Sequence, residues 1–379
     1  MNNFINQNII RPTYCKIYLS KLIHNFKLIK KNLKKNTKIL SVVKANAYGH
    51  GIYEVASVLE SKAGADIFGV ATLEEGIFLR QQGIKSQILV LGSIYPFSSF
   101  QYIFAYNLTP TISSYYIAKK LAAYCKKNKF PSVSVHVKVD TGMGRIGMSI
   151  KKAKYYIEQI SKLQNLNIEG VYTHIASGSG DKNATSKQIK SFANLQKDLK
   201  KLKLDIKYFH CANTETMFEF PEAQFDMVRT GLSLYGLYDN KIAGTEFKQV
   251  IELKSKIVFL KTVPKGTSIS YGHTFLTHKR TVVATIAIGY ADGYRRDFSN
   301  QVEAIVRGQR VKQIGRICMD MCMFDVTDVA GVNIGDDVIL IGGNSGQMIT
   351  VSELSKIADT INYEIVTQIT SRVPRVYVE

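Results

Sequence analysis

No stretch of this 379-residue chain approaches the roughly 18 uninterrupted apolar residues of a membrane-spanning helix, so no membrane partner is expected. The opening residues, MNNFINQNIIRPTY, lack a basic segment followed by a long apolar run, which argues against a secretory signal. The cysteines, Cys15, Cys125, Cys211, Cys318 and Cys322, contain no CxxC pair. An odd number of scattered thiols fits a reduced, cytoplasmic protein better than a disulfide framework. Zinc-finger spacing, an RNA-binding signature and a long basic tail are all missing, and no metal site is expected. Internal repeats and low-complexity linkers are missing too. Acidic residues are scarce, 30 against 50 Lys and Arg, for a net charge of +20. Such a charge raises the question of a nucleic-acid partner. The lysines, however, fall in short runs at 30–35, 126–129 and 197–203, on segments with apolar residues at helical spacing. In the first, Leu22, Ile23, Phe26, Ile29 and Leu33 form the apolar stripe and the lysines lie largely off it. Solvated outer helix faces are the simpler reading, and no nucleic-acid partner is expected.

What is present is a hydrophobic share of 45%, enough for a large core and for more than one domain. In the first two thirds, short β-branched runs alternate with amphipathic segments. Strands are predicted at 39–43, 67–71, 88–91, 108–112, 133–139, 169–173, 206–209 and 227–230, with helices at 53–63, 73–82, 114–128, 151–163 and 185–202. Eight alternating strands suit an α/β fold of the (β/α)8 TIM-barrel type, over residues 1–245. A doubly wound sheet competes with it on strand count alone. From 246 to 379 the texture changes to strand-like runs joined by Gly-containing turns, with a single helical stretch at 351–360. A mostly β C-terminal domain is expected there.

In a barrel of this kind, chemistry sits where strands end. Lys44 follows the apolar run Ile39–Val43 directly, with Tyr48, Gly49, His50 and Gly51 after it. A tyrosine hydroxyl beside a Gly-containing turn can bond a phosphate. Lys138 through Arg145, His174, the group His210–Asn213–Thr214, and Arg229 all follow later strands in the same way. Each alone has a structural explanation. Five such sites on one face do not arise readily by chance.

The motifs VVKANAYGHG, KVDTGMGRIG, YTHIAS, HCANT, VRTGLSLYG, SYGHTF, IGYADGYRR, GRICMD and SRVPR run in order along the whole chain. By these residues the sequence resembles the fold-type III pyridoxal 5′-phosphate (PLP) dependent alanine racemases. The resemblance implies interconversion of L- and D-alanine, supplying D-alanine for peptidoglycan. It implies that Lys44 holds PLP as a Schiff base and acts as one acid/base group. Tyr271 would be the other, reaching the site across a head-to-tail homodimer. Arg229, backed by His210, would face the pyridine nitrogen, with His174 near the ring. Tyr48, Asn213, Thr214, Gly231 and Leu232 would hold the cofactor, chiefly at its phosphate. Arg145, positioned by Lys138 (carbamylated in some members), and the Met319 backbone would hold the substrate carboxylate. Tyr290, with Tyr271 and Tyr294, would line the entrance and favour a small side chain. Ser371 stands where some members have a tyrosine, and is too short for the same contact.

This residue set suits a proton swap. Lys and Tyr are ordinarily weak bases, with pKa values near 10. Cationic neighbours and partial desolvation make them usable at neutral pH. An arginine beside a pyridine nitrogen keeps that nitrogen unprotonated, because guanidinium does not act as an acceptor. A racemase of serine, lysine or a broader range is the nearest alternative, and a same-fold PLP decarboxylase the next.

Overall fold

The computed structural model describes residues 10–178, 180–238, 246–344 and 346–379. The expected boundary at 245/246 borders residues 239–245, which lie outside the described residues, as do residues 1–9 of the opening segment.

Eight parallel strands form one sheet that curls into a barrel. They are Lys38–Val42, Ile67–Val70, Gln87–Val90, Thr109–Ile112, Val133–Asp140, Leu166–Tyr172, Tyr208–His210 and Met227–Thr230. The last pairs with the first, Arg229 opposite Leu40. Between the seventh and eighth, the Asp226 N–H donates to Phe209 O at 3.1 Å and the Arg229 N–H to Ala212 O at 3.0 Å. Helices cover the outside, so both faces of these strands are buried. That is why they read as near-continuous apolar runs rather than alternating ones. The doubly wound alternative is therefore set aside.

Apart from the two-residue strand Met148–Ser149, which pairs with Val133–Asp140, the remaining strands form a second sheet whose spine is the 13-residue strand Ile251–Val263. It pairs with Asp337–Asn344 and Thr281–Ile286. Tyr14–Tyr18, from the start of the chain, also joins this sheet, antiparallel to the spine and parallel to Arg375–Val378. A mostly β C-terminal portion is thus observed. Two expectations need correcting. Besides Val351–Ile357 a second helix, Asn362–Thr367, is present. Leu33, placed on the first helical stripe, lies beyond that helix, which ends at Lys31. Among the described residues no helix is long and apolar enough to cross a membrane.

Candidate active site

The first barrel strand delivers Lys44 through an unusual turn. Ala45, Asn46, Ala47 and Tyr48 all have φ between 52° and 55°, a left-handed run that L-residues adopt only when held. The holding groups are visible. Glu75 accepts from the Ala45 N–H at 2.6 Å and from the Ala71 N–H at 2.7 Å. Asn46 Oδ1 accepts from the Ile52 N–H at 2.9 Å. Gly49, at φ 80°, closes the turn, and a Cβ there would stand 2.3 Å from Val366 O. The result fixes where Lys44 and Tyr48 emerge.

Both line a cavity of ≈ 650 Å³ at the C-terminal ends of the barrel strands. Lys138, Arg145, His174, Asn213, Thr214, Arg229 and Gly231 line it as well. The expected strand-end residues are thus brought together. His210 lies buried behind Arg229, and Leu232 is half-buried and does not line the cavity.

Four cations in one cavity shape its electrostatics. Burial, then the charge of Arg145, lowers the affinity of Lys44 for its proton, with Glu75 opposing and Arg229 adding to the effect. Burial, then Arg229, Arg145 and Lys44, pull Lys138 down to about 8. Burial and the same cations push His174 down to about 3, so its ring is neutral at pH 7. The site therefore attracts anions and lowers the cost of a neutral amine.

Arg229 is only 5% exposed and its hydrogen bonds are nearly complete. Its Nη1 donates to His210 Nδ1 at 2.8 Å and to His210 O at 3.2 Å. Nη2 donates to Thr173 O at 2.8 Å and Cys211 O at 2.9 Å, with His174 Nδ1 at 3.3 Å. Among the described residues, Nε–H has no acceptor, which leaves one donor for a ligand. The Tyr48 hydroxyl, buried on the cavity wall, has no partner among the described residues either. It sits over Gly231, where a Cβ would lie 2.6 Å from the Tyr48 oxygen. Thr214 Oγ1 lies 3.3 Å from the Gly231 and Ser233 amides. Asn213 caps the helix Thr214–Glu219, its Oδ1 accepting from the Thr216 N–H at 3.0 Å. An unpartnered phenol, a side-chain-free backbone position and an unspent guanidinium N–H fit PLP: a phosphate at one end, a pyridine nitrogen at the other.

Tyr271, Met319 and Tyr290, all expected from the C-terminal portion, do not line this cavity within one chain either. Tyr271 is 73% exposed, Met319 53% and Tyr290 41%. Tyr290 instead lines a separate cavity with Arg295, Arg296 and Arg316. Tyr294, expected at an entrance, is core: it is 2% exposed and its ring packs edge-on against Phe298 at 5.4 Å. Ser371 is exposed and does not line this cavity. Two further aromatics that line the cavity, Tyr363 and Tyr172, were not anticipated. Tyr363 arrives on the unexpected helix and packs against Tyr48 with ring centroids 5.4 Å apart. Tyr172 lies under Lys138 and Arg229, each 5.3 Å from its ring centroid. Among the described residues no cluster of three or more His, Cys, Asp or Glu is placed to hold a metal ion.

Residues 17–239 match the family described as alanine racemase, N-terminal domain, and residues 250–377 match alanine racemase, C-terminal domain. An alanine racemase of Halothermothrix orenii is 43% identical over 376 residues, covering 98% of each chain. Among solved structures, the alanine racemase of Clostridium difficile 630 is 36% identical with a TM-score of 0.91, over 98% of this chain and 97% of that one. The alanine racemase of Bacillus anthracis, solved with bound L-Ala-P, is 32% identical with a TM-score of 0.90, over 98% and 96%.

Proposed function

The chain belongs to the alanine racemase family and is an isomerase, and from that premise we propose that it interconverts L- and D-alanine with PLP and two acid/base groups, Lys44 and Tyr271. The observation that carries this reading is the convergence of Lys44, Tyr48, Arg145 and Arg229 on one strand-end cavity. PLP, when bound, delocalises the charge left at the substrate Cα, which makes that proton removable.

The chain's own residues do the rest. Lys44 takes or returns the proton on one face of Cα, and its burial among cations favours the neutral amine needed for that work. Tyr271 serves the opposite face. Its exposure, and that of Met319, support a homodimer in which both enter the partner's cavity. Arg145 binds the substrate carboxylate with the Met319 backbone, and Lys138 positions Arg145. Tyr48, Asn213, Thr214 and the backbone of Gly231 and Leu232 hold the phosphate. Arg229, backed by His210, presents Nε–H to the ring nitrogen, with His174 beside the ring. Tyr290 narrows the approach to the site. The barrel within residues 1–245 acts as the cofactor-binding domain, and 246–379, whose sheet Tyr14–Tyr18 joins, as the domain that carries Tyr271. The five free thiols support a reducing, cytoplasmic setting, and the D-alanine formed serves peptidoglycan synthesis.

A chirality-resolved assay of the purified protein with PLP against L-Ala, L-Ser, L-Lys and L-Arg tests this reading. D-alanine is expected to form fastest. A higher kcat/KM for lysine or arginine would reassign the substrate, and carbon dioxide release would point to a decarboxylase.

A further inference from the structure

Arg229 rests on two more buried groups that do not line the cavity. His210 and His136 are 0% and 1% exposed. His210 Nε2 lies 2.9 Å from His136 Nδ1. His136 Nε2, buried and without a hydrogen-bond partner among the described residues, faces Glu169 Oε2 at 3.6 Å, an electrostatic rather than a hydrogen-bond distance, and the same oxygen accepts from Gln87 Nε2 at 2.6 Å. The barrel makes room for this row. A Cβ on Gly170 would stand 2.5 Å from His136 Nδ1, and the strand register shifts between Val135 and His136.

The direction of the row follows from elementary chemistry. A guanidinium only donates. With Arg229 Nη1 at 2.8 Å, His210 Nδ1 must be bare, so its proton sits on Nε2 and is donated to His136 Nδ1. His136 then carries its own proton on Nε2, toward the carboxylate. Burial lowers the affinity of both rings for a second proton; at His136 Glu169 opposes this, and Arg229 adds to it at both. A second proton on either ring would set a donor against a donor. The row needs a negative charge at its far end. Without one, the His136 proton is better placed on Nδ1, where it forces His210 to turn a proton toward Arg229.

We propose that Glu169 is a positioning residue for Arg229: as the carboxylate that faces the far end of the row Arg229–His210–His136, its charge holds the last proton on His136 Nε2, which fixes both imidazole tautomers and so keeps Arg229 Nε–H presented to the cofactor's ring nitrogen. The proposal rests on the PLP reading above. Its residues touch neither substrate nor cofactor and act only through Arg229. A half-buried carboxylate on a barrel strand is costly unless it is paired; Gln87 supplies its hydrogen bond, and the polar face of the His136 ring is turned toward it.

Solid-state NMR of the 15N-histidine-labelled holoenzyme reads the tautomers directly. Both His136 and His210 are expected neutral, with the proton on Nε2. Glu169→Leu should populate the Nδ1–H tautomer of His210 and lower kcat for alanine about tenfold, as losses behind a ligand-holding residue do, with KM little changed. Glu169→Gln keeps a carbonyl dipole of the same size facing His136 Nε2 and should recover more of kcat than Glu169→Leu, together with the Nε2–H tautomers. An Nδ1–H or doubly protonated His210 in the wild-type protein would overturn the proposal, as would Glu169→Leu with wild-type kcat and tautomers. Should Glu169→Leu not fold, the wild-type tautomers and the Glu169→Gln variant still decide it. A wild-type protein that forms no D-alanine would instead defeat the PLP racemase reading, whatever the tautomers.

Discussion

Lys44→Ala is expected to remove the absorbance of covalently held cofactor and to lower racemisation by at least about a thousandfold. The reason is geometric as well as chemical. Lys44 stands at the end of a fully supported strand, and the left-handed turn after it is stapled by Glu75 and Asn46. None of the neighbouring cations can replace it. Lys138 is the other lysine on the cavity wall, and it lies over the Tyr172 ring at the end of a different strand. The fold should survive the change, because the lysine is half-buried at a cavity rather than packed in the core. An absorbance band unchanged in Lys44→Ala would sink the assignment of the attachment point.

Tyr271→Phe should retain the cofactor yet lose roughly 10²- to 10⁴-fold in racemisation, the scale of one lost acid/base group. The two directions should suffer differently, since Lys44 still serves its own face. Deuterium exchange at Cα is the measurement that separates them: one enantiomer should keep exchanging with solvent while the other is nearly silent. Equal and near-wild-type exchange of both enantiomers would remove Tyr271 from the pair. Because Tyr271 is 73% exposed on its own chain, the variants also test subunit sharing. Mixing inactive Lys44→Ala and Tyr271→Phe proteins should restore activity through mixed dimers that hold one intact site. Absence of any restoration would argue against a site shared between subunits.

The barrel strands were legible because burial on both faces leaves runs with no polar register to confuse. Met227–Thr230 falls where the sequence places it. Leu166–Tyr172 begins three residues before its predicted start at 169, since Asn167 and Glu169 interrupt the apolar run. Strand-end residues were legible for the same reason, a polar group after an apolar run being conspicuous. Tyr363 was not. Its Asn-Tyr-Glu setting reads as a loop, and only the fold brings that helix beside the mouth of the barrel. Glu75 looks like a solvated residue of an amphipathic helix, and its value lies in two backbone amides that no periodicity reveals. His136 and Glu169 are polar interruptions in strands. Their partnership depends on the register of neighbouring strands, which sequence pattern does not carry. Tyr294 shows the converse: a tyrosine in a recognised motif can be core.

The most direct test of the central claim is the isotopic content of the first product formed from L-alanine in heavy water. Two groups on opposite faces remove the Cα proton with one and deliver a solvent-derived deuteron with the other. Early D-alanine should therefore carry deuterium at Cα while the unreacted L-alanine keeps protium. Early D-alanine that retains substantial α-protium would mean a single base working both faces, and would contradict the Lys44–Tyr271 pair.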